Sequence, residues 1–538
     1  VNLRGERRGD ERQCGQRQGK HLHGVCYSPD IARVLRLCVS VEMPRGRGMD
    51  AVVRRPACAV RRVCRRGASN RHICGISSSE RGVQMKRALA LLLAAVLGAG
   101  IAFAALDARA QALAPSPADE RRADIAAFRR DFFLQDRSYT QAARAEAEAR
   151  LQALDQAAGS VSRAYFELEL ARIVALADNG HTVMFAGARS RHFNRVGVRF
   201  VPFGEEFYVL RASGAEADLL GARLVSIDGR RIETLRAAAR SLSGGLASWR
   251  DRNAGYFFES PEQLHALGLA RAPEQARYRF RLPNGRIVTR TLIPEAADVS
   301  RPRANADRWL YPARMETEGG EWRTLLEEDR APWSLREPDR AFRLRDAPEL
   351  DATVIELRQN YTDGGNDLNE FLIESLLRVS ESGRRNIVLD LRMNGGGDLN
   401  ATRAWARRLP ELVPGRAFVL TSPWTFSAAI TTIGYMRQAA PTRVVIVGEQ
   451  VGDRLDFYAE GGLVDLPGSN AIIQLAVQRH DYRTGCREIF NCYASVARHP
   501  IAVDSLAPDI AAPWTLESYM AGRDPAMEAV AAALRHAA

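Results

Sequence analysis

Lysine is almost absent from this chain. Of 76 basic residues only Lys20 and Lys86 are lysines, and both lie before residue 113. A lysine general base, Schiff base or phosphate-binding lysine is therefore excluded from everything that follows. Cysteine is equally sparse there: six of the eight precede residue 85, leaving Cys486 and Cys492 in "GCREIFNC". That pair lacks the C-x-x-C spacing of a metal site. The nucleophile elbow G-x-S-x-G is missing around the serine discussed below. "NGGGDLNAT" is glycine-rich but lacks the Gly-Lys-Ser/Thr of a phosphate loop.

The charge is just as unevenly spread. Residues 1–84 hold 18 Lys and Arg against 7 Asp and Glu, a net of +11. They show no aromatic interleaving and no periodicity, which argues against a nucleic-acid-binding arm. Next comes "MKRALALLLAAVLGAGIAFAALDARAQA", with a basic start, an apolar run and small residues at its end. This is the layout of a secretory signal peptide over 85–112, with Met85 the expected start and residues 1–84 translated upstream sequence. An uncleaved anchor stays open, since the run approaches the ~20 residues that span a bilayer. No cysteine follows the run to carry a lipid. Of the whole-chain +12, residues 113–538 retain a net of −1. The high pI therefore belongs to the leader and what precedes it, and no argument for an acidic partner survives. Export would place the protein in the periplasm or outside the cell, where Cys486 and Cys492 are expected to close a disulfide.

The remaining chain divides by pattern. Residues 113–192 read as helical, with "SRAYFELELARIVALAD" running into "NGHT", where Asn179 and Gly180 are expected to end the helix and leave His181 on the turn. Residues 193–297 alternate like paired strands, with a hairpin at Asn284-Gly285. Their order around "GARLVSIDGRRI" resembles a PDZ domain, which adds a peptide strand to a sheet edge or serves as plain scaffold. Residues 298–350 are charged and proline-punctuated, an expected linker or irregular cover. From 351 to 538 strands alternate with helices, which predicts an α/β core.

Two stretches of that core carry chemistry. "LDLRMNGGGD" (Leu389–Asp398) puts a glycine run after a buried strand, where backbone N–H groups can approach a ligand. "TFSAA" (Thr425–Ala429) puts Ser427 between the apolar "RAFVLTS" and a helical run. Ser427 either caps that helix or attacks a carbonyl; Thr425 could cap equally well, which leaves the serine free for the second role. His181 either meets the end of the preceding helix or acts as proton carrier. His192, His265, His499 and His536 have weaker contexts, and His480 in "QLAVQRHDY" is the reserve.

"DLRMNGGG", "TFSAA" and "VVIVGEQ", with "NGHT" and a PDZ-like segment upstream, together resemble the C-terminal-processing and tricorn-core serine peptidases over roughly residues 115–515. The resemblance implies a crotonase/ClpP-like ββα-spiral core with an N-terminal helical segment and a PDZ-like β domain. It implies Ser427 as nucleophile, with the backbone N–H groups of Gly395, Gly396 and Ala428 holding the oxyanion. The branch that uses a lysine base is closed, because Arg454 in "GEQVGDRLD" stands at the matching position and arginine stays protonated. The histidine-using, tricorn-like branch implies His181 as base. For the acid that orients the imidazole the resemblance offers Glu449, Glu488 and Asp504 without choosing among them. Ile430 stands where relatives often carry an acid after "TFSAA". The expected function is an exported serine peptidase acting on peptides or proteins. The expectation includes no metal, no cofactor, no nucleic-acid partner and no membrane span after leader cleavage. The alternatives are an inactive peptide-binding module on the same fold, or an esterase using the same serine.

Overall fold

In this computed structural model residues 116–300, 306–315, 318, 321–488 and 490–536 are described. The expected upstream sequence (1–84) and signal segment (85–112) lie outside the described residues. No described helix is long and apolar enough to cross a membrane.

Among the described residues the strands form three sheets. The central one runs Ile510–Ala511, Val444–Gly448, Ala417–Thr421, Asn386–Asp390, Ala352–Leu357, Phe342–Ala347. Its pairs are parallel except the last, where Phe342–Ala347 lies antiparallel to Ala352–Leu357. The sheet thus begins before residue 351, inside the stretch whose charges and prolines read as linker. Strand side chains alternate between two covered faces. Ile355, Leu389, Val419 and Ile446 join one cluster with the helices Leu368–Glu381, Leu399–Arg408 and Ala428–Ala439. Val354, Val388, Phe418 and Val447 join another with the C-terminal helix Pro525–Arg535. Burial on both faces is why "NIVLD" and "AFVLT" are almost continuously apolar.

The second sheet holds Val198–Phe203, Glu206–Ser213, Arg223–Ile227, Ala276–Arg281 and Ile287–Leu292 in that order. Its last two strands form the hairpin expected at Asn284-Gly285, with Gly285 at φ +83°. Between the third and fourth strands the chain inserts helices, among them Ile232–Arg240 and Ala247–Arg252. The third sheet pairs Asp456–Asp465 with Ile472–Asp481, and Ile472–Asp481 with the short strand Val183–Met184. That last pairing brings the front of the chain to the core, with His181 two residues before the strand.

Candidate active site

The loops that leave the carboxyl ends of Asn386–Asp390 and Ala417–Thr421 are tied to each other. This is the end of a parallel sheet where ligands commonly bind. Thr425 donates its hydroxyl to the Leu391 carbonyl at 2.8 Å, and the Phe426 N–H donates to the Asn394 carbonyl at 2.9 Å. Asn394 in turn donates to the Leu357 carbonyl at 2.9 Å and to Asn360 Oδ1 at 2.8 Å. Thr425 is thus engaged with the neighbouring loop rather than with the helix.

Ser427 stands at the N-cap position of Ala428–Ala439, yet its hydroxyl caps nothing. Its backbone sits at φ +54°, ψ −124°, a conformation that costs a non-glycine residue of order 1–3 kcal/mol. Gly396, at φ +106°, packs against it; a Cβ there would fall 2.6 Å from the Ser427 Cβ. The serine and the glycine turn are therefore in contact, as the motif reading expected. Of the three backbone donors named from the resemblance, Gly396 gives its N–H to Asn394 Oδ1 at 2.9 Å. The N–H groups of Gly395 and Ala428 find no acceptor among the described residues. Ile430 is wholly buried among the core residues under the sheet, so an acid is replaced here by packing.

His181 is 4 % exposed. Its ring stacks on Phe426, the residue before Ser427, at 4.3 Å between centroids, and on Phe457 at 4.9 Å. Nδ1 lies 3.2 Å from Asp453 Oδ2. The other Asp453 oxygen accepts the Arg454 N–H at 2.8 Å. A carboxylate at Nδ1 favours the tautomer that keeps the proton there, leaving Nε2 an acceptor. Nε2 is buried without a hydrogen-bond partner, so no bond to the Ser427 hydroxyl is formed. The helix before His181 ends at Ala175, and the left-handed residue of the turn is Asp178 at φ +47° rather than Asn179 or Gly180. His181 is thus well beyond the helix end and does not cap it. The loop is pinned from the third sheet: Asn179 exchanges hydrogen bonds of 2.9 and 3.0 Å with the Tyr458 backbone. Arg454 binds Asp178 through both its carbonyl and its carboxylate.

The three acids named from the resemblance lie elsewhere. Glu488 has a side chain 88 % exposed and sits near Arg479; Asp504 is exposed. Glu449 follows Val444–Gly448 and lines a separate cavity with Arg252, Trp424 and Trp514; burial pushes its carboxyl up to about 7. The reserve His480 has Nδ1 engaged with the Tyr482 hydroxyl at 2.8 Å, while its Nε2 makes no hydrogen bond and has Glu460 3.4 Å away. His192 pairs with Glu167 at 2.9 Å. Cys486 and Cys492 form a disulfide. Sequence reasoning missed Asp453. The signal was one residue from Arg454, in the segment searched for a lysine. It also missed Trp249, from the helix inserted in the second sheet, whose ring stacks on Phe426 at 3.7 Å.

No family model matches the chain, and neither does any curated protein. Several solved structures do. Mature CPAF complexed with lactacystin is 12 % identical at a TM-score of 0.46, with 72 % of this chain and 92 % of that chain covered. The photosystem II D1 C-terminal processing protease is 14 % identical at 0.30, covering 77 % and 99 %. The tricorn protease is 13 % identical at 0.32, covering 78 % of this chain and 36 % of that one. The chain is similar to C-terminal-processing and tricorn-type proteases. At such identities and scores this likeness carries no argument about function, which has to come from the site itself.

Proposed function

We propose that the chain is a serine peptidase using Ser427, His181 and Asp453. The observation that carries the reading is a buried imidazole with a carboxylate on Nδ1 and a bare Nε2, stacked on the residue that precedes a strained, uncapped serine. Each part has a chemical reason. The Ser427 oxygen attacks a peptide carbonyl while His181 Nε2 takes its proton. The same nitrogen then returns the proton to the leaving amine. Asp453 keeps the ring in the tautomer that can do this and stabilises the imidazolium. The N–H groups of Gly395 and Ala428 are the donors left over for the oxyanion, with Ala428 at the positive end of its helix. Water then releases the acyl group by the same proton path. The Nε2–hydroxyl bond closes when substrate fills the site, as such bonds commonly tighten only in the complex.

The surrounding architecture belongs to the same proposal. Residues 351–538 with the strand Phe342–Ala347 form a crotonase/ClpP-like spiral core, 193–297 a PDZ-like domain, and 113–192 the helical segment that delivers His181. The disulfide and the leader-like 85–112 favour export to the periplasm or beyond. The test is a fluorophosphonate probe with unstructured peptides as substrates. Labelling of the full chain and turnover are expected, both lost in Ser427→Ala with an unchanged melting curve. The open Nε2–hydroxyl gap favours one rival, a module that binds peptides without cutting them. Peptide binding with no labelling would establish that rival and sink the peptidase.

A further inference from the structure

Arg252 is a cation beside the site that forms no ion pair among the described residues. It ends the helix Ala247–Arg252, its guanidinium 3.0 Å from the Trp249 ring centroid and 4.7 Å from that of Trp424. Its neighbours are all engaged. Asp251 receives both Arg236 and Arg240 in paired hydrogen bonds, and Arg250 holds Asp178. Among the described residues its Nε is buried without an acceptor, and the buried Asp307 acts on it only through space. Burial pushes the guanidinium down to about 9, the direction expected of a charge short of both water and a partner. A guanidinium is a planar fork that matches a carboxylate edge to edge, and aromatic rings on its faces leave that edge open.

The guanidinium borders a cavity of about 190 Å³ whose walls include Phe203, Leu310, Met393, Trp424 and Trp514. Met393 lies two residues before Gly395 and Trp424 three before Ser427, so the cavity adjoins both halves of the candidate site. Its two acids do not answer Arg252. Asp251 is neutralised by its arginines. Glu449, raised to about 7 by burial, carries only part of a charge at neutral pH. The aromatic and aliphatic part of the wall, with Arg236 and Arg240 tied to Asp251 and Arg252 outside any ion pair among the described residues, describes a pocket for a short chain ending in a negative group.

We propose that this cavity is a specificity subsite for an acidic side chain of the peptide, Asp or Glu, whose carboxylate Arg252 holds. The inference rests on the peptidase reading of Ser427, and its test separates the two. The probes are acetylated, C-terminally amidated fluorogenic decapeptides in which one Glu is walked along a neutral background, each paired with its Gln twin. For the full chain, one Glu position is expected to raise kcat/KM about tenfold or more over Gln. That ratio should collapse towards one in Arg252→Gln and recover partly in Arg252→Lys, with near-UV circular dichroism reporting folding. Should the variants fail to fold, the wild-type ratios decide alone.

A Glu/Gln ratio near one at every position overturns the subsite. So does a ratio that survives in Arg252→Gln, or a preference seen only with free C-terminal carboxylates. The same peptides, labelled, are read by fluorescence anisotropy on Ser427→Ala. Tighter Glu binding without wild-type hydrolysis would keep the subsite and sink the peptidase. Hydrolysis without Glu preference would do the reverse.

Discussion

His181 and His480 each stack on Phe457 with 4.9 Å between ring centroids. Both are almost fully buried, and each has a carboxylate within reach. On the His480 side Tyr482 takes Nδ1, Glu460 stands 3.4 Å from an Nε2 that makes no hydrogen bond, and Tyr493 stacks on the outer face at 5.2 Å. On the His181 side the acid occupies one nitrogen only, and the outer face carries Phe426, then Trp249. Burial and an acid are therefore not what marks an imidazole for proton transfer. Neither Nε2 has a hydrogen-bond partner among the described residues; the difference is that a carboxylate, Glu460, stands 3.4 Å from that of His480, whereas the acid of His181 sits at Nδ1.

Four experiments would break or sharpen this contrast. The largest effect belongs to the two rings themselves. His181→Gln should lower kcat on any cleaved peptide by about a thousandfold or more. His480→Gln should change it by less than about threefold. Equal losses in steady-state assays would erase the distinction. Next come the acids. Asp453→Asn should cost on the order of a hundredfold to ten-thousandfold in kcat with little change in KM, by favouring the wrong tautomer. Glu460→Gln should leave kcat within about threefold. A larger effect from Glu460→Gln would transfer the orienting role across Phe457.

The outer rings should differ more modestly. Trp249→Leu loosens the stack behind Phe426 and should lower kcat by about tenfold. Tyr493→Leu should show its effect in the melting temperature instead. The smallest effect is in acid. Burial holds His480 below its ordinary 6.5. As pH falls through that value the unfolded chain takes up the proton first, so folding stability declines. The His480 ring beside it holds Glu460 below its ordinary value, so stability present at neutral pH is lost in the same direction, at lower pH. Chemical-denaturation curves between pH 7.5 and about 5 should therefore show a decline that His480→Gln reduces. An unchanged decline would remove His480 as its source.

What could be read beforehand followed the reach of each interaction along the chain. Ser427 and the glycine turn were legible because the strand, glycines, serine and helix follow one another, each with a local signature. Asp453 was not, because it meets His181 across 272 residues and nothing near either residue announces the other. The strand Phe342–Ala347 was hidden by its charges. Arg343 is buried against Glu356, so an ion pair sits on an edge strand where an apolar residue would have shown the pattern. The contact of Trp249 with Phe426 was not legible, because it depends on how the second sheet meets the core.

The turn that carries His181 is closely packed on both sides. A Cβ on Gly244 would lie 2.7 Å from the Asn179 nitrogen, and one on Gly180 would lie 2.8 Å from Asp453 Oδ2. The proposed catalytic arrangement is thus assembled from stretches near 180, 245, 395, 427 and 453, and no contiguous piece of the polypeptide owns it. Cleavage anywhere in residues 298–340 would yield two halves, each inert, whose recombination in solution restores turnover only if the glycine seam closes again.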